Sequence, residues 1–154
     1  MTLKTLTTLA GLALALCIAP RAAAHCQIPC GIYDDNNVMG KMHTDYETIA
    51  KAMKTIPELM ENPEQNVNQI ARWVANKESH AQSIQDTVAR YFLAQRLKLD
   101  EAASDKESYL KKLSICHKVI VTAMKCKQGV DPAAADQLHD DLHDFAEAFG
   151  LHAN

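Results

Sequence analysis

What this chain can fold into is constrained first by four stretches in which apolar residues recur at steps of three and four, each opened by a capping residue or a proline. That spacing puts an apolar stripe along one side of a helix of 3.6 residues per turn, whereas a half-buried strand needs strict alternation. In the first stretch Thr44-x-x-Glu47 forms a capping box, and Met42, Tyr46, Ile49, Met53, Ile56 and Met60 form the stripe. Pro57 there predicts a kink or a restart, with Thr55 as a second possible cap. In the second, Asn62-Pro63-Glu64-Gln65 sets a cap before a proline, and Val67, Ile70, Val74, Ala81, Ile84, Val88 and Tyr91 keep heptad spacing to about Leu99. Lys77 interrupts that seam.

Ser104-x-x-Glu107 opens a third helix with Leu110, Leu113, Ile120 and Met124 on its apolar face and Gly129 at its end. Asp131-Pro132 opens a fourth, striped by Leu138, Leu142, Phe145 and Phe149 and stopped by Gly150. Short connections between four amphipathic helices predict an all-α fold, an antiparallel four-helix bundle over about residues 35–150.

The start of the chain has a different character. Lys4 supplies a positive charge, residues 6–18 form an apolar run shorter than the ~20 residues that span a bilayer, and Pro20 precedes Ala22-x-Ala24. This is the pattern of a secretory signal over 1–24, cut so that His25 becomes the new N-terminus and residues 25–154 form one domain. The expectation is an exported protein, periplasmic or extracellular, with no membrane attachment after the cut. Losing Lys4 and Arg21 takes the formal net charge from −3 to −5, and an acidic chain with no basic block is a poor partner for nucleic acid. Cys17 leaves with the signal. The four remaining cysteines are too few for a disulfide-built scaffold, so packing has to hold the core.

Two of those four stand in an unusual setting, His25-Cys26-Gln27-Ile28-Pro29-Cys30-Gly31-Ile32-Tyr33, a hook over residues 25–33 that gathers an imidazole, two thiols and a phenol. Once His25 is terminal, its α-amine has an ordinary pKa near 8 and gives up its proton to a metal at modest cost. That amine, the Cys26 amide nitrogen and the thiolates of Cys26 and Cys30 make two nitrogen and two sulfur donors, a set suited to planar Ni(II) or Cu(II) and not to tetrahedral Zn(II). Anionic donors, with the His25 imidazole free to bind as well, favour the oxidised ion and hence electron cycling. The Cys-x-x-x-Cys spacing alone is equally compatible with a Cys26–Cys30 disulfide in a helical interaction module.

Elsewhere the residue types point to packing. His139 and His143 are one helical turn apart and could pinch a metal, but among Asp136, Asp140, Asp141 and Asp144 they read as part of a solvated acidic face. His117 lies in the third stripe and reads as a core histidine, and His43, His80 and His152 as surface residues. Cys116 and Cys126 would lie about 15 Å apart on one helix, too far to bridge, and read as buried small hydrophobes. Met42, Met53 and Met60 read as core, not as a copper stripe.

At residues 25–33 the chain resembles the nickel superoxide dismutases, whose mature N-terminus is a nickel hook of the pattern His-Cys-x-x-Pro-Cys-Gly-x-Tyr; every fixed position is matched here. Arg72-Trp73-Val74, Tyr91-Phe92 and Ala123-Met124-Lys125-Cys126-Lys127 resemble longer variants of that family. The resemblance implies a four-helix bundle assembling as a homohexamer, with one nickel ion per subunit held by His25, Cys26 and Cys30 and with Tyr33 guarding the open face. It implies conversion of superoxide to dioxygen and hydrogen peroxide by alternating Ni(III) and Ni(II); an exported nickel or copper carrier without turnover is the alternative. Gln27 departs from the Asp common in the bacterial type. Arg72 and Glu47 are the candidates to hold the imidazole, Tyr91 to match a second tyrosine near the metal, and Lys41 to steer a small anion.

Overall fold

The structure, a computed structural model, describes residues 34–152, and these are all-α, with no strand among them. Helix α1 is Asp35–Leu59, α2 is Pro63–Thr87, α3 is the short Leu99–Ser104, α4 is Lys106–Gln128 and α5 is Pro132–Phe149. A π-helical segment, Val88–Arg96, continues α2 without a break.

The start of α1 is set by Asp34, whose backbone is extended and whose carboxylate accepts the Asn36 N–H at 2.9 Å. The helix thus begins nine residues before the predicted capping box. Thr44 sits inside it and donates its hydroxyl back to the Gly40 carbonyl at 3.1 Å, which removes it from capping. Pro57 is accommodated without a restart, because α1 ends two residues later. Asn62 makes no side-chain cap; Asn66 instead donates its amide to the Leu59 and Asn62 carbonyls at 3.2 and 3.1 Å, tying the two helices at their turn. Helix α4 is capped by Asp105, which accepts from the Ser108 N–H at 3.1 Å, so Ser104 closes α3 and does not open α4. Asp131 caps α5 as its sequence suggests, and Gly150 ends it at φ 66°, a left-handed C-cap that glycine adopts without steric cost.

The four long helices share one core: α1 packs on α2, α2 on α4, α4 on α5, and α5 on α1. Met39, Met42, Ile49 and Met53 of α1 meet Ala81 and Ile84 of α2, Val119 of α4, and Leu138 and Leu142 of α5. Phe92 stacks edge-on against Phe145 with centroids 4.6 Å apart, and Phe149 closes the cluster, so the π segment is anchored by burial.

Two predicted stripes are rotated or uncovered. Helix α4 buries Ile115, Cys116, Val119, Thr122, Ala123 and Cys126, which leaves Leu110, Leu113 and Met124 exposed. Met60 falls beyond α1 and is exposed. Val67 and Val74 are exposed because, among the described residues, α1 is the long helix packed beside their part of α2. Lys77 lies level with the last turn of α4, so residues 63–76 run on roughly 20 Å past that end at 1.5 Å per residue.

Lys77 itself explains the interrupted seam. Its side chain is 3% exposed, and its ammonium donates to the carbonyls of Cys126 at 2.5 Å and Lys127 at 2.8 Å, with Glu78 at 3.1 Å. These are carbonyls left over at the C-terminal end of α4, where a cation is favoured. Lys77→Met keeps the stem and removes the donor, and it is expected to cost about 1–3 kcal/mol in urea unfolding. Unchanged stability would show that the carbonyls do not need it.

Candidate metal centre

The predicted ligands His25, Cys26 and Cys30, with Tyr33 and the signal over 1–24, lie outside the described residues. The described residues begin at Asp34, the position that follows Tyr33 in the chain.

The first residue of α1, Asp35, is a node. The Tyr91 hydroxyl donates to its Oδ1 at 2.5 Å, and the Arg96 guanidinium pairs with its Oδ2. Burial and then the hydrogen bond to Asp35 push the Tyr91 phenol up to about 12, so at neutral pH it is a proton donor in this bond. The tyrosine singled out by resemblance is therefore held by the first residue of α1. The backbone of His152 donates to the Asn36 side chain at 3.1 Å and ties the far end of the chain to the same helix start.

The other candidates separate. Arg72 is exposed, beside Trp73 on a shallow surface cleft, and makes no ion pair within the described residues. Glu47 pairs loosely with His43, at 3.9 Å. Lys41 has its ammonium 2.9 Å from Asp45 and 2.6 Å from the Ser83 hydroxyl, so a carboxylate accompanies its charge wherever it acts on an anion.

Asp45 was not legible as a functional residue, yet it stands in the stripe between Met42 and Ile49 and is buried. It accepts from Lys41, from the Ser83 hydroxyl at 2.7 Å, and bonds His80 Nδ1 at 2.7 Å. His80 is thus half-buried and partnered, not a plain surface residue. Burial raises the Asp45 carboxyl, but its three hydrogen-bonding partners more than offset this and leave it below its ordinary value. A depressed carboxylate contributes stability above its unfolded pKa of about 3.9 and loses it as pH falls through the lower folded value. Asp45→Asn is expected to flatten the loss of unfolding free energy between about pH 5 and pH 2 relative to the parent. An unchanged acid slope would contradict the network.

Asp141 also corrects the sequence reading. It is fully buried, not solvated, and accepts from Thr122 at 2.6 Å, Gln137 at 2.8 Å and Lys118 at 2.8 Å, whereas Asp136, Asp140 and Asp144 are exposed. His117 is exposed, because α4 turns its neighbour Cys116 inward instead. His139 and His143 face each other with Nε2 atoms 3.1 Å apart. Among the described residues no three of His, Cys, Asp or Glu are grouped so as to hold a metal ion.

Cys116 and Cys126 are buried and unbridged, as expected. Burial pushes their thiols up to about 12 and about 11, and Cys126 Sγ donates to the Ala134 carbonyl at 3.3 Å. A metal takes thiolates, so these two thiols are the wrong chemistry for it. The residue types at His25, Cys26 and Cys30, an imidazole and two thiols, are donors that suit a soft or borderline ion such as nickel.

No helix among the described residues is long and apolar enough to cross a membrane. The family profile described as nickel-containing superoxide dismutase matches residues 20–152, a span that takes in the whole stretch from His25 to Tyr33 as well as the helices. No curated protein and no solved structure matches the chain. With a match over most of its length, this chain belongs to the nickel-containing superoxide dismutase family: an oxidoreductase whose cofactor is a nickel ion and whose substrate is superoxide.

Proposed function

We propose that the working enzyme begins at His25, after removal of an export signal over residues 1–24. It holds one nickel ion per subunit through the amine and imidazole of His25, the amide and thiolate of Cys26, and the thiolate of Cys30. Bound nickel supplies the one-electron chemistry, alternating between Ni(III) and Ni(II) as superoxide is converted to dioxygen and hydrogen peroxide. The observation that carries this reading is the intact hook from His25 to Tyr33 lying inside the span that matches the family.

The protein's part is to fix donors, admit a small anion and deliver protons. Tyr33, with an ordinary pKa near 10, stays a neutral phenol at pH 7 and offers one hydrogen-bond donor to superoxide or water. It does not hold the metal. The helices serve as an antiparallel four-helix bundle that carries the hook, and we read the mature protein as an exported homohexamer. The uncovered Val67 and Val74 on the projecting part of α2 are available to such an assembly.

The test is superoxide decay followed by pulse radiolysis on protein beginning at His25, nickel-loaded and nickel-free. Catalytic, nickel-dependent decay is expected; stoichiometric nickel binding without turnover would make the chain a metal carrier. Tyr33→Phe is expected to keep full nickel and at least about a tenth of the turnover, with altered inhibition by azide, since one hydrogen bond is worth roughly 1 kcal/mol. Loss of nickel in that variant would make Tyr33 a holder of the metal instead.

A further inference from the structure

Tyr91 and Arg96 are five residues apart, which on an α-helix would point them about 140° away from each other around the axis. They lie in the π-helical segment, closed by the bond from the Leu97 N–H to the Phe92 carbonyl at 2.9 Å. A π turn spans five residues per hydrogen bond and so brings such a pair to the same side. Both side chains then reach one carboxylate, that of Asp35, which is 20% exposed. Arg96 takes Oδ2, leaving Oδ1 aimed at the Tyr91 hydroxyl. The segment cannot easily slide, because Phe92, next to Tyr91, is fully buried against Phe145. A π turn is an uncommon deviation that recurs at functional positions, and here its effect is to gather three polar groups at the first residue of α1.

We propose that Asp35 and Arg96 are positioning residues for the dismutase reaction: Arg96 fixes the Asp35 carboxylate, and Asp35 fixes both the direction of the Tyr91 hydroxyl and the start of α1. From that start the segment bearing Tyr33, Cys30, Cys26 and His25 departs. The consequence for turnover rests on the nickel assignment above; the consequence for the Tyr91 hydroxyl does not. Neither residue touches the metal or the substrate in this account. A plain surface ion pair that pins a helix end is the competing reading, and such a pair affects stability and nothing else.

The experiment uses protein beginning at His25, with Asp35→Asn, Arg96→Gln, the conservative Arg96→Lys, and the double variant Asp35→Asn with Arg96→Gln. Nickel content and thermal midpoint are expected to stay close to the parent's. Turnover per bound nickel is expected to fall about ten- to hundredfold in Asp35→Asn, the size of loss that a substitution away from the chemistry causes when it misplaces a reacting group. The double variant should be no slower than Asp35→Asn, because Arg96 acts through Asp35, and Arg96→Lys should recover part of what Arg96→Gln loses. The independent readout is tyrosine Cζ NMR of the metal-free protein: the Tyr91 titration, near 12 in the parent, should move down toward its ordinary 10 in Asp35→Asn.

An Asp35→Asn protein with unchanged turnover per nickel overturns the proposal. So does a loss that merely tracks lost nickel or lost stability, or an unmoved Tyr91 titration. If the parent itself bound no nickel, the functional assignment would fall, while the titration would still decide whether Asp35 holds Tyr91.

Discussion

A protein that keeps Ala24 ahead of His25 is expected to fold normally and to show no nickel-dependent turnover. The reason is the chemistry of one nitrogen. With Ala24 attached, the His25 nitrogen is a peptide amide, which holds its proton far more tightly than a terminal amine of pKa near 8 and cannot donate as a neutral group. The described helices begin at Asp35, ten residues beyond the cut, and their core cluster starts at Met39. The expected fall in turnover exceeds the roughly 10- to 100-fold that losing an outer partner of a metal ligand costs, because a ligand itself is lost. Far-ultraviolet circular dichroism, nickel content and superoxide decay on the two forms check this. His25→Ala complements it: the amine survives and the imidazole goes, so nickel binding should outlast turnover.

The four mature cysteines are expected to divide into two pairs with opposite behaviour. Cys26→Ser or Cys30→Ser should abolish nickel-dependent turnover, since a hydroxyl is a harder and far less acidic donor than a thiol. Those proteins should retain the parent's unfolding free energy. Cys116→Ala and Cys126→Ala should keep nickel and turnover while losing about 1–3 kcal/mol of stability, because each empties space in a fully buried position. The raised thiols of Cys116 and Cys126, at about 12 and about 11, are the physical ground for the division. Nickel loss of equal extent in all four variants would contradict it.

Much of the fold was legible because helix period and punctuation agree. The stops at Gly129 and Gly150 and the starts at Pro63 and Asp131 all fall where the residues put them. The errors have a common cause. Apolar residues were counted into stripes and charged ones left out, so Asp45 drew no reading, Lys77 passed as an interruption and Asp141 as a solvated group, although each occupies a stripe position and is buried. A charge at such a position signals a buried node with partners on another helix, as Lys77 has at the end of α4. Leu110, Leu113 and Met124 misled in the opposite direction: helix spacing marks a face, and only the neighbouring helices decide which face is covered.

The site divides in the same way. The proposed hook is a pattern of consecutive residues, whose chemistry needs no tertiary contact to be recognised. The Asp35, Tyr91 and Arg96 node could not, since it depends on a π turn that no residue type specifies and on two segments more than fifty positions apart. Tyr91 was reached by resemblance alone, and its partners only from the structure.

The central claim, a nickel centre built on the mature N-terminus, is tested most directly by native mass spectrometry of the protein isolated from its source, read together with thiol titration. The account predicts a polypeptide beginning at His25, carrying one nickel atom, with no disulfide. A chain that begins elsewhere and still carries nickel with turnover, or one that begins at His25 with a Cys26–Cys30 disulfide and no metal, would contradict it.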